Sequence, residues 1–244
     1  MIASWGSDLL LAGMVFAGAA VQRMSGVGFA LVASPGLIAL QGPLAGVLLS
    51  NCASCGISAL GLATEWRGLR PRLMVPLVVT ASCLVPAGTF AARALPRPVL
   101  LAGIGAGVVA AVAVVARGLR APALRGRPGA VLAGAASGFM NAAAGVGGPA
   151  VTLYGLNEGW TVRQFVPNAL FYGVVVNAVS LLVKGMPALS PRAWALFGAA
   201  LLAGLLAGRA LSARVPERRA RAVVLLLALA GGTLTLLRGL AALF

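Results

Sequence analysis

Ten apolar stretches, separated by short loops rich in arginine, proline and glycine, account for nearly the whole chain. Six are long: residues 44–64, 73–92, 99–116, 163–183, 192–211 and 221–237. These approach the roughly 20 residues that a helix needs to cross a bilayer. The other four, residues 7–22, 29–40, 129–141 and 149–156, are short for a full crossing, because an α-helix rises only about 1.5 Å per residue. Half-helices, or a hairpin that enters and leaves on one side, suit those lengths. Trp5, Trp66, Trp160 and Trp194 all fall at the ends of apolar stretches, where the aromatic belt of a membrane protein sits.

The short stretches come in two pairs, each interrupted by glycines. Gly26, Val27 and Gly28 recur 119 residues later as Gly145, Val146 and Gly147. Gly36-Leu37 recurs at the same offset as Gly155-Leu156, and Arg117-Gly118-Leu119 returns as Arg238-Gly239-Leu240 at an offset of 121. Matches that stay in register read as a duplication, with residues 1–120 as the first membrane repeat and 121–244 as the second. Together they make one integral membrane domain of about five helical segments per repeat. Paired glycine- and proline-interrupted apolar segments in two halves point to a transporter's substrate site.

Composition narrows the class further. Hydrophobic residues form 60% of the chain and charged residues 9%, which fits an all-α polytopic membrane protein and no soluble domain of this size. The formal net charge of +15 would suggest nucleic acid in a soluble protein. Here the arginines cluster in loops between apolar runs, so no nucleic-acid partner is expected and the charge reports orientation. With Arg117–Arg127 in the cytoplasm, the loops holding Arg67–Arg72 and Arg214–Arg221 also face inward if each short pair makes an even number of crossings. Arg93, Arg97, Lys184, Arg192 and Arg238 then remain outside. Each repeat makes an odd number of crossings, so the two are expected to be inverted, with their glycine-broken short helices near the midplane.

A helix that restarts after a glycine break offers unpaired backbone N–H groups and a positive dipole end. Such an end suits an anion. Pro149 fits the first turn of a restarted helix. The expected substrate-binding residues are therefore Arg23, Ser25, Gly26 and Gly28 at the first break and Asn141, Gly145, Gly147 and Gly148 at the second. Asn51 and Asn168, with Asn177, lie on long segments that can face the same cavity. Snorkelling to an interface competes with substrate pairing for Arg23, and interhelical hydrogen bonding competes with ligand contact for the asparagines.

Gly26-Val27-Gly28-Phe29, its repeat Gly145-Val146-Gly147-Gly148-Pro149 and the duplicated halves resemble the sulfite exporter TauE/SafE family over essentially the whole chain. That resemblance implies movement, as export, of small sulfur-containing anions such as sulfite or organosulfonates across a bacterial plasma (inner) membrane. Phe29 stands where the second repeat has Gly148, so the two breaks are not expected to contribute alike. A passive anion channel or facilitator would use the same helix ends along a continuous pore. An enzyme is not expected: there is no histidine, and Asp8, Glu65, Glu158 and Glu217 fall in loops or at segment ends. Cys52, Cys55 and Cys83 lie within apolar runs and read as small packing residues, with neither metal nor other cofactor implied. No basic residue precedes Arg23, so a cleaved signal peptide is not expected. The partners are a small anion and the lipid bilayer, with a homo-oligomer left open.

Overall fold

The computed structural model describes residues 5–25, 29–117, 125–212 and 217–243. These form ten α-helices and one 3-10 turn, with no strand among the described residues. The helices are α1 (Trp5–Ser25), α2 (Phe29–Gln41), α3 (Pro43–Glu65), α4 (Pro71–Ala94) and α5 (Arg97–Arg117), then α6 (Gly126–Ala144), α7 (Gly148–Asn157), α8 (Val162–Lys184), α9 (Pro191–Ser212) and α10 (Glu217–Ala241). Each apolar stretch of the sequence lies within one of them. The helices run slightly longer than the stretches because their first turns recruit loop residues. Pro43 and Pro71 start α3 and α4, where a missing N–H costs nothing. At α8, Thr161 and Gln164 form a reciprocal capping box. Five helical segments among the described residues are long and apolar enough to cross a membrane, and α2 is a shorter apolar helix. The chain is an all-α polytopic membrane protein.

Close contacts at glycines give the helix directions. Gly134 of α6 lies against Leu77 and Thr80 of α4, and Gly138 against Ala81, so α4 and α6 run parallel. Gly204 of α9 lies against Phe16 and Ala19 of α1, and Gly208 against Ala20 and Arg23, so this pair is parallel too. Antiparallel pairs join the same ends differently. Gly61 of α3 meets Leu170 of α8 while Ser58 meets Gly173, and Gly105 of α5 meets Leu236 of α10 while Gly239 meets Ala102. In α2 the order is again reversed, with Phe29 beside Gly18 of α1 and Gly36 beside Met14.

These pairings exchange with one another when α1–α5 are swapped for α6–α10. The extensive α4–α6 packing becomes α9–α1, while α3–α8 and α5–α10 map onto themselves. Cys55 marks the crossing of α3 and α8, with its Sγ directed at the carbonyl oxygen of Val174, 119 residues away.

Tryptophans do more than flank the helices. Trp66 is exposed in the 3-10 turn, but Trp160 packs edge-on against Tyr154 with ring centroids 5.5 Å apart. Trp194 does the same with Phe197 at 5.6 Å. Asp8 lies at a segment end, in the first turn of α1, and is buried there.

Candidate functional site

The second glycine break sits in the middle of the bundle. Gly145 ends α6 in the left-handed region, with φ of 71°, a conformation that favours glycine. Its backbone N–H closes the helix on Asn141 O, and the chain restarts at Gly148 followed by Pro149. Residues 144–147 are all buried. Ala144 packs with Ile38, Val47, Ala92, Leu100 and Ile104, and Val146 with Leu31, Val108 and Val112. Four helices of the first half thus enclose a break in the second.

Neutral polar groups surround it. Ser34 of α2 and Ser50 of α3 share a hydrogen bond of 2.6 Å, and both hydroxyl-bearing side chains face Gly145. Tyr172 donates to Ser137 Oγ, which donates in turn to the carbonyl of Gly147. That chain fixes the peptide immediately before α7. Asn141 Nδ2 reaches Asn177 Oδ1 at 3.1 Å and Ser180 Oγ at 3.4 Å. A side chain at Gly147 would collide with Ser137 and Asn141, so this position needs glycine for space rather than for strain.

Asn51 is different in kind. It is fully buried, and neither amide atom has a hydrogen-bond partner. Thr89 Oγ1 of α4 is also buried without one. Val47 and Ala92, one turn from Asn51 and Thr89 respectively, pack in the same cluster as Ala144. The two orphaned groups therefore lie one turn from the contacts that enclose the break. Buried polar groups are ordinarily paired, and leaving one unpaired costs about 1–3 kcal/mol.

Arg23 and Asn168 are placed away from the second break. Arg23 is exposed in the last turn of α1, next to Gly208 of α9. Asn168 is buried but committed to the protein: it accepts from Arg70 N at 3.0 Å and donates to Gln164 O at 2.6 Å, tying α8 to the start of α4. Ser25 closes α1, while Gly26 and Gly28 lie outside the described residues. At the start of α2, the Phe29 N–H is taken by Gln22 Oε1 at 3.2 Å, and the Phe29 ring fills a core with Leu11, Val15 and Leu37. The sequence counterpart of Gln22 is Asn141, which turns instead to α8.

Ser50, Ser137, Tyr172, Ser180 and Thr89 do not stand out in the sequence. Their signal is faint: single hydroxyls in apolar helices, indistinguishable in sequence from residues that bond their own backbone, as Thr80 and Thr235 do. A pocket of about 430 Å³ between Glu65, Arg67, Arg163 and Pro167 opens at the corner of α3 and α8, at the helix ends and away from the break. Among the described residues no cluster of three metal-ligating side chains forms.

A buried, broken helix ringed by hydroxyls and amides can receive a small polar solute through neutral donors and the start of α7. No curated protein and no solved structure matches the chain. The sequence profile of the sulfite exporter TauE/SafE family does, over residues 10–234, spanning α1 to α10 and both glycine breaks. The chain belongs to the sulfite exporter TauE/SafE family.

Proposed function

We propose that this chain exports small sulfur-containing oxyanions, sulfite or an organosulfonate, across a bacterial plasma membrane, binding them at the second glycine break. The observation that carries the reading is the orphaned Asn51 amide one turn from the packing around Ala144 and Gly145. A ligand arriving there would supply the hydrogen bonds the amide lacks. Around it, the Ser34–Ser50 hydroxyl pair and the opening turn of α7 offer further donors. Hydroxyl and amide N–H groups suit an oxyanion that must also leave, since they hold it less tightly than a full ion pair.

The repeats are part of the proposal. Two inverted halves, residues 1–120 and 121–244, are supported by the way packing partners exchange between α1–α5 and α6–α10. The contact directions also give α3 and α8 opposite senses, and α5 and α10 likewise. Such halves can rock about a fixed central site. The first break is the lesser contributor, because Gln22 already occupies the Phe29 N–H.

Reconstituted protein should show saturable counterflow of sulfite and methanesulfonate, which an open channel does not support. Gly147→Val should abolish it while the variant still inserts, since the added side chain meets Ser137 and Asn141. Undiminished counterflow in that variant would remove the second break from the transport path. Linear, unsaturable flux in wild type would favour the channel instead.

A further inference from the structure

The chain has eighteen arginines and a single lysine, Lys184, at the last position of α8. A lysine at the end of a membrane helix ordinarily extends its stem to put the ammonium in water. Here the Nζ is closed off from solvent and has no hydrogen-bond partner among the described residues. The neighbouring charge that acts on it is Arg93, a second cation, in the last turn of α4. Two cations drawn together, one enclosed and unpartnered, are held against both desolvation and mutual repulsion.

Among the described residues no acid hydrogen-bonds to the ammonium. Glu65 and Glu158 sit where α3 and α7 end, at the opposite ends of the bundle from the ends of α4 and α8. Asp8 belongs to α1 and makes no hydrogen bond with the ammonium. The missing counter-charge points outward to a ligand. Its place in the bundle is informative too. Lys184 follows Ser180 by four residues, and Arg93 follows Thr89 by four, so each cation stands one turn beyond a group of the central polar layer. Lysine fits such a place, because a compact ammonium can hold one oxygen of a passing oxyanion, whereas a guanidinium fork would clamp two.

We propose that Lys184 and Arg93 form a second oxyanion site, one helical turn beyond the central site at the ends of α8 and α4. It takes a single small oxyanion, either a sulfite or sulfonate in transit or the phosphate of an anionic lipid headgroup. The in-transit form rests on the transport reading above; the site itself does not.

The test compares wild type, Lys184→Gln and Lys184→Arg in nanodiscs. In phosphatidylcholine alone, calorimetry with methanesulfonate should resolve two sites in wild type and Lys184→Arg. The glutamine variant should lose one of them, its affinity falling about tenfold or more as a charged hydrogen bond is removed. If the headgroup is the natural occupant, wild type binds one methanesulfonate but retains a phosphatidylglycerol in native mass spectrometry that Lys184→Gln releases. Either pattern supports an oxyanion site and names its source. Equal methanesulfonate stoichiometry together with equal lipid retention in wild type and Lys184→Gln would overturn it. The Gly147→Val variant separates the two proposals, because it should lose the central site and keep this one.

Discussion

Asn51 is a fully buried amide with no hydrogen-bond partner, and the proposed ligand would supply the bonds it lacks. Replacing it with leucine, which has as many side-chain heavy atoms, removes an unpaired buried amide, so Asn51→Leu should be more stable than wild type by about 1–3 kcal/mol. The same change should weaken sulfite and methanesulfonate binding at least about tenfold. A thermal melt and a binding isotherm on one detergent-solubilised sample measure both. Loss of stability, or unchanged affinity, would make Asn51 an ordinary core residue. Arg23→Ala is the companion control: exposed in the last turn of α1 beside Gly208, it should shift affinity less than about twofold. At this scale the sequence was only half legible. Asn141, Gly145 and Gly147 could be found because the break repeats, and Asn51 because amides are rare in apolar helices. Asn168 and Asn51 look alike in sequence. Only the fold shows that one bonds to the Arg70 N–H while the other has no partner.

Hydropathy located the helices well because membrane segments must be apolar and the loops must carry the arginines. It did not reveal which helices pair. That information resides in small residues, notably Gly134 and Gly138 on α6 and Gly204 and Gly208 on α9, each pair four apart. At all four positions a side chain would strike the backbone of the partner helix, α4 or α1. Lipid supplies little hydrophobic drive for helix association, so close backbone approach has to provide the packing. Gly138→Leu should therefore destroy the folded protein, because Ala81 has no room to move away. Gly103→Leu, on α5 where nothing lies within 4 Å, should behave as wild type. Size-exclusion chromatography of the two variants tests this; a monodisperse Gly138→Leu peak at wild-type yield would refute the packing argument. Both breaks were visible in the sequence as glycine pairs, and so was their inequality, as Phe29 in the place of Gly148. It arises because Phe29 is drawn into the core and Gln22 turns to its N–H.

At the scale of the whole molecule, packing sorts the helix ends into the same two faces as the charge pattern of the sequence. Helix directions from the glycine contacts put the ends of α1, α3, α5 and α9 on one face together with the starts of α4, α6, α8 and α10. That face carries Arg23, Arg67, Arg70, Arg72, Arg117, Arg125, Arg127, Arg163, Arg209, Arg218, Arg219 and Arg221. The opposite face carries Arg93, Arg97, Lys184, Arg192 and Arg238. Twelve cations against five assigns the first face to the cytoplasm by the positive-inside rule. Arg120 and Arg214 lie outside the described residues and are counted on neither face. Hydropathy alone could not fix the number of crossings made by the short helices, and so could not choose between parallel and inverted halves. At the short α7, the Gly126 N–H at the start of α6 donates to Glu158 at the end of α7. The chain therefore enters and returns on one side there. The prediction is that Arg70→Cys, Arg125→Cys and Arg218→Cys, each in a chain lacking Cys52, Cys55 and Cys83, react with an impermeant maleimide only in inverted vesicles. Arg97→Cys and Met186→Cys should react only in intact cells. The decisive pair is Arg125 and Arg218, which begin and end the second half's circuit from α6 to α10. An even number of crossings between them is what inversion requires, so labelling of these two positions from opposite sides of the membrane would leave the halves parallel and remove the symmetric rocking on which transport at a fixed centre depends.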